Sequence, residues 1–259
     1  MTHPAYGTLR QVTANAAVLL ADNPNMMTLD GTNTWLLRAP GHPECVVVDP
    51  GPADEQHLAK VAAHGPVAAV LITHHHGDHT DGAARLAELT GAPTHAIEPA
   101  HRHHGGGDLH DGQVIEAAGL RLRIWVTPGH TADSLCIEIE GDGSLLTGDT
   151  ILGRGTTIVA HPDGRLGPYL TTLRRLMELP PGTTVLPGHG PELPDVAAVA
   201  TAYLTHREQR LDQVRQALAT LGQDATARAV VELVYADVDQ SLWPAAEWSV
   251  QAQLAYLRS

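Results

Sequence analysis

Eight short apolar runs, each closed by a turn, constrain this chain more than any other feature. They are NTWLLRA, ECVVVDPGP, VAAVLITHHH, PTHAIEP, LRLRIWVTPGH, SLCIEIE, SLLTGDT and TTVLPGHG, and they read as short buried or half-buried strands. Between them, ADEQHLAKVAAHG, DGAARLAELTG and GPYLTTLRRLMELPPG carry helical spacing and end at Gly or Pro. Strands mixed with helices in this way indicate an α/β (α+β) protein. No internal repeat of solenoid or propeller length is evident.

From about residue 195 the texture changes. Leu204, Leu211, Val214, Leu218 and Leu221 form a helical stripe that stops at Gly222. Asp224 is the expected cap of a second helix running through Val234, and Pro244 the expected opening of a third reaching Leu257. The expected organisation is therefore a large α/β domain over 1–194 and a small helical appendage over 195–259. A chain of 259 residues, 43% hydrophobic and 17% charged, can bury a core of that size.

The formal net charge is −13 and Lys60 is the only lysine. Such a field repels polyanions and gives no support to non-specific duplex binding. No apolar run reaches the roughly 18 residues of a transmembrane helix, and the start lacks the basic and apolar regions of a secretion signal. A cytoplasmic protein without a membrane partner is expected. Cys45 and Cys136 do not form a C-x-x-C pair and read as reduced, buried thiols.

The run ITHHHGDHTDG, residues 72–82, holds four histidines and two aspartates. In an extended segment, residues two apart share a side, so His74 and His76 can converge on one ion while His75 faces away. If the chain then turns into a helix, Asp78 and His79 project together from its first turn. Neutral imidazoles and a carboxylate suit zinc at about 2.0–2.2 Å. A His-rich surface loop is the competing reading of this run taken alone.

Three further strand ends decide between them. TPGHT offers His130, TGDT offers Asp149 and PGHG offers His189, each in a glycine-containing turn after an apolar run. Singly, each would more often be an ordinary turn. Together with the first run they supply five histidines and two aspartates, enough for two metal ions.

In this order and spacing, THHHGDHTDG, TPGHT, TGDT and PGHG resemble the metallo-β-lactamase-fold hydrolases over residues 8–192. GTNTWLL and VVVDPGP are similar to the first strands of that family, with Asn33 and Asp49 as structural residues. The resemblance implies a four-layer αββα sandwich with the metals at one edge of its two sheets. It implies that His74, His76 and His130 hold one zinc, that Asp78, His79 and His189 hold a second, and that Asp149 bridges them. The expected cofactor is thus two Zn²⁺ per chain, with Fe or Mn as substitutes. Within the family, NPNMMTLDGTNTWLL, TGDTILGRGTT and the helical tail resemble the β-lactamase-like protein 2 branch, whose tail is winged-helix-like and whose animal members are endoribonucleases. This chain stops at LAYLRS, where a wing hairpin would begin, so the appendage is expected to be a truncated winged helix.

The chemistry implied is hydrolysis by a hydroxide bridging two metals, with Asp78 accepting its proton. A small-molecule ester or thioester is the favoured substrate and single-stranded RNA the alternative. The tail carries five Arg and no Lys against eight acidic residues, and the chain has no Phe. From another class, mononuclear persulfide dioxygenases share much of the pattern, so a mononuclear iron dioxygenase or a non-catalytic metal protein is the further alternative. Arg154, Thr156 and Thr157 follow the TGDT strand and are candidate contacts for an anionic substrate. HRHHGGGDLHDG, residues 101–112, reads as a flexible loop rather than a third metal locus.

Overall fold

The computed structural model describes residues 3–237 and 239–258. Its strands form two sheets. In the first, β1 (Arg10–Gln11), β2 (Ala16–Leu20), β3 (Asn33–Leu37) and β4 (Cys45–Val48) run as an antiparallel meander. Parallel β5 (Val67–Leu71) and β6 (Thr94–His95) complete it, joined through the helices α1 (Glu55–Ala63), α2 (Gly77–Thr80) and α3 (Ala83–Thr90). The second sheet has the order β11-β10-β9-β8-β7. Here β7 (Val114–Ala117), β8 (Leu120–Val126), β9 (Leu135–Ile139) and β10 (Ser144–Gly148) are antiparallel. After α4 (Leu166–Leu176), β11 (Thr184–Pro187) returns parallel to β10.

The continuous apolar runs are explained by burial on both faces. In β4, Val46 and Val48 point into the inter-sheet core with Trp35, Leu37, Leu122, Ile137 and Leu146. Their neighbours Cys45 and Val47 point outwards to Leu58 and Val61 of α1 and Leu86 of α3. On the far side, Cys136, Leu145 and Val185 meet Tyr169, Leu170 and Leu173 of α4. The layers are therefore helix, sheet, sheet, helix. Leu122 is fully buried in the middle of this stack, where truncation to alanine typically costs about 2–5 kcal/mol. Both cysteines are buried and unpaired.

Three strands escape the sequence reading, the first being β1, only two residues long. β2 is AAVLL, half alanine-like in its pattern, and β7 is a half-buried VIEA at a sheet edge. β7 is too short and too polar to show an apolar run.

The long helix α5 (Val196–Leu221) is capped by Asp195, whose carboxylate accepts from the Ala198 amide. Its first half, with Val196, Ala200 and Tyr203, completes the outer layer over the second sheet. Its second half, with Val214 and Leu218, builds a separate small core with Val230 and Val231 of α6 (Ala227–Val234) and Val250 and Leu254 of α7 (Trp243–Leu257). Of the expected stripe, Leu211, Val214 and Leu218 are buried, Leu204 is half-buried and Leu221 is exposed. Thr226, not Asp224, caps α6, because its hydroxyl sits three residues before the Ala229 amide it accepts from. Pro244 opens α7 as expected. Among the described residues, everything after 195 that is regular is helical.

Candidate metal centre

The carboxyl ends of four strands converge at one rim of the sandwich. After β5 the backbone passes through Thr73, whose amide and hydroxyl both donate to buried Asp49. His74 to His76 continue extended, and His76 begins α2 at φ −60°, ψ 140°. Asp78 and His79 then lie on the first turn of that helix. His130 comes from the turn after β8, Asp149 directly from the end of β10, and His189 from the turn after β11.

Two glycines make this approach feasible. Gly148 has φ 47°, and a Cβ there would stand 2.7 Å from the Thr73 hydroxyl. At Gly188 a Cβ would meet Asp149 Oδ1 at 2.5 Å and His79 Cε1 at 2.8 Å.

Seven side chains come together. His76 Nδ1 lies 3.1 Å from both His74 Nε2 and His130 Nε2. On the other side, His189 Nε2 is 3.2 Å from His79 Nε2 and 3.0 Å from Asp78 Oδ2. Asp149 stands between the two groups, 3.4 Å from His189 Nε2, 3.5 Å from His79 Nε2 and 3.8 Å from His130 Nε2. Within each of the sets His74–His76–His130, His74–His79–Asp149 and Asp78–His79–His189, the ligand atoms lie within 4.8 Å of one another. His75 turns the opposite way and binds Asp133 through Nδ1 at 2.8 Å.

The far nitrogens of four of the five rings show that a cation fits here. His79 Nδ1 donates to Asp49 at 2.8 Å, His130 Nδ1 to the Ile158 carbonyl at 2.8 Å, and His189 Nδ1 to the Gly31 carbonyl at 3.1 Å. The Thr73 hydroxyl, already donating to Asp49, accepts from His74 Nδ1 at 3.0 Å. Those bonds place the ring proton on Nδ1, so four Nε2 lone pairs face one another across the rim. Asp149 Oδ1 is buried with no hydrogen-bond partner. Lone pairs at 3.2 Å and an orphaned carboxylate oxygen repel without a positive charge between them. Imidazole and carboxylate, with no thiolate near, are the donors of Zn, Fe or Mn sites.

Without an ion, protons supply that positive charge on the Asp78–His79–His189 side. Burial and the facing His79 hold His74 well below its usual range, while burial, His130 and His75 bring His76 down to about 4. For His189, burial is outweighed by the Asp149 and Asp78 carboxylates, which lift it to about 9. His79 is raised likewise, against burial, by Asp49 and Asp149. Asp149 itself is held well below the carboxylate range because His189 and His79 overcome its burial.

A cavity of about 370 Å³ opens over these groups, walled by Met26, Met27, Leu29, Leu152 and Ile158. Arg154 reaches its edge, yet its guanidinium is bound bidentate to Asp30 at 2.7 and 2.9 Å. Thr156 lines the wall. Thr157 is buried, and its hydroxyl lies 3.1 Å from His130 Nδ1, so it orients a ring instead of facing solvent. Asp49, read from the sequence as structural, holds His79 directly and His74 through Thr73, and so supports two of the seven groups. Asn33 clamps the His189 turn by donating to the Pro187 and Gly190 carbonyls. The histidines of 101–112 do not gather into a ligand set among the described residues. Arg102 ties that loop down through the Ala96 carbonyl and Asp108.

Comparison with known proteins agrees with this geometry. The model of the metallo-β-lactamase superfamily matches residues 27–189, and that of the β-lactamase associated winged helix domain matches residues 226–259. An atrochrysone carboxyl ACP thioesterase of Aspergillus chevalieri is 32% identical over 92% of this chain and 79% of its own length. A β-lactamase-like protein 2 homolog of Drosophila melanogaster is 30% identical over 95% of this chain and 89% of its own. The crystal structure of a β-lactamase domain protein from Burkholderia ambifaria superposes with a TM-score of 0.81 at 24% identity, covering 99% and 89% of the two chains. Fold, strand-end motifs and relatives agree: the chain belongs to the metallo-β-lactamase superfamily, as a hydrolase of that fold.

Proposed function

We propose that the chain holds two zinc ions and hydrolyses a thioester in a small acyl substrate. His74, His76 and His130 would hold one ion, Asp78, His79 and His189 the other, with Asp149 shared. The observation that carries this reading is the pair of facing donor sets with the orphaned Asp149 oxygen between them, since seven donors exceed what one ion takes up. When bound, the metals supply Lewis acidity and make a water acidic enough to attack near neutral pH.

The chain's own groups do the rest. Asp78, with 28% of its side chain exposed against 11% for Asp149, is the carboxylate that solvent and substrate can reach. It accepts the proton of the attacking water and can return it to the leaving sulfur as the C–S bond breaks, giving a carboxylic acid and a thiol. Met26, Met27, Leu29 and Leu152 give the acyl group an apolar wall. A thioester is favoured over RNA by the name of the Aspergillus chevalieri relative and by the acidic tail.

Purified, metal-counted protein assayed on acyl thioesters, lactones and single-stranded RNA tests the reading. Thioester turnover abolished by chelation is expected. Inert thioesters beside metal-dependent RNA cleavage that falls steeply from 50 to 200 mM salt would replace it with a nuclease.

A further inference from the structure

A second groove of about 340 Å³ adjoins the catalytic cavity, and Thr156, Thr157 and Ile158 line both. Its other walls come from α5, with His206, Arg207 and Arg210, and from Tyr235, Leu242, Ala245 and Ala246 of the tail. Most arginines of this acidic chain are neutralised by a carboxylate, as Arg154 is by Asp30, Arg174 by Glu208 and Arg175 by Asp111. No ion pair among the described residues involves His206, Arg207 or Arg210.

Arg207 is only 5% exposed, donates to the Thr157 carbonyl and leaves its Nε without a partner. The buried Nδ1 of His206 is also unpartnered. Arg210 lies over the Tyr235 ring at 4.8 Å and bonds only the neutral Gln213 amide oxygen. Burial and the two neighbouring guanidinium groups lower the His206 pKa, as a locally positive field requires. Arg207 also packs over the Tyr169 ring at 5.4 Å, but no carboxylate among the described residues pairs with its charge. A buried guanidinium without one is costly, so this field is expected to have an anionic occupant.

We propose that this groove is a second substrate subsite that binds the phosphate of a phosphopantetheine-type thiol arm, while the thioester at the arm's other end lies over the metal centre. This rests on the thioesterase reading above. Arg210 is the accessible phosphate contact, and Leu242, Ala245 and Ala246 face the aliphatic part of the arm.

Titration calorimetry on the metal-loaded full chain, with 4′-phosphopantetheine and with unphosphorylated pantetheine, tests it. The phosphorylated arm should bind about tenfold more tightly, and Arg210→Gln, checked for folding by circular dichroism, should erase the difference. Equal affinity of wild-type protein for the two probes would overturn the subsite, as would binding of a single-stranded oligonucleotide without binding of phosphopantetheine. Hydrolysis of acyl-pantetheine, measured in parallel, separates the two ideas. Turnover without phosphate preference refutes only the subsite, and phosphate preference without turnover refutes only the thioesterase. Coenzyme A and a phosphopantetheinylated carrier protein, run as separate titrations, distinguish the source of the arm.

Discussion

Asp49→Asn removes one charge and no volume from behind the metal centre. Asp49 Oδ2 accepts from His79 Nδ1 at 2.8 Å and from the Thr73 hydroxyl at 2.7 Å, while Oδ1 accepts from the Thr73 amide at 2.8 Å. An asparagine keeps the amide contact but turns an NH₂ towards two donors. The backbone does not suffer, since residue 49 has φ 52° and asparagine tolerates that region well. To escape the donor–donor clash, His79 must move its proton to Nε2, the atom that faces His189. Losing a charge-assisted bond at that ring is worth about 1.5–3 kcal/mol, which is about 10- to 100-fold in affinity for the ion held by His79. Competition of the purified variant against a chromophoric zinc chelator reads this directly, with a thermal melt of the metal-free protein to confirm folding. Zinc affinity indistinguishable from the wild type in a folded Asp49→Asn protein would refute the idea that Asp49 sets the His79 tautomer.

Other perturbations separate the groups of the rim. Asp149→Ala should weaken metal retention and remove most turnover, whereas His75→Ala, whose ring binds Asp133, should leave the metal content unchanged by elemental analysis; equal damage would contradict the facing geometry. Gly188→Ala drives a methyl to 2.5 Å from Asp149 Oδ1, so the variant should fold yet lose metal, and a fully loaded Gly188→Ala protein would count against the packing described. Burial lowers His57 from its ordinary 6.5 to about 4, so the unfolded chain takes up the proton first and stability falls as pH drops through that window. The shift corresponds to about 3 kcal/mol, present near pH 7 and lost towards pH 4. Denaturant melts of wild type and His57→Asn at pH 7 and 4.5 should show the variant losing less on acidification, and parallel losses would assign the acid sensitivity elsewhere.

The strands were readable from sequence where both faces are buried, because β4 and β5 then appear as unbroken apolar runs. Two-residue β1 and half-buried edge strand β7 gave no such signal, whereas β2, AAVLL, is an equally unbroken buried run that went unread. The seven converging side chains were readable because their motifs follow strand ends in recognisable turns. The groups that orient them were not. The Ile158 and Gly31 carbonyls that fix His130 and His189 are main-chain atoms with no residue signature. Likewise, Arg207 and Arg210 look like ordinary helix-face arginines until the fold leaves them without a carboxylate partner among the described residues. The appendage showed a similar limit: the periodic stripe identified α5, yet only packing shows that one helix serves two cores.

Activity against added metal tests the central claim most directly. Metal-free protein, prepared by chelation and confirmed to be folded, is titrated with zinc while thioester hydrolysis and bound zinc are followed together. Seven converging donors require that turnover saturate at about two zinc ions per chain. Saturation at one ion, or activity that appears only with iron and oxygen, would contradict a dinuclear hydrolase.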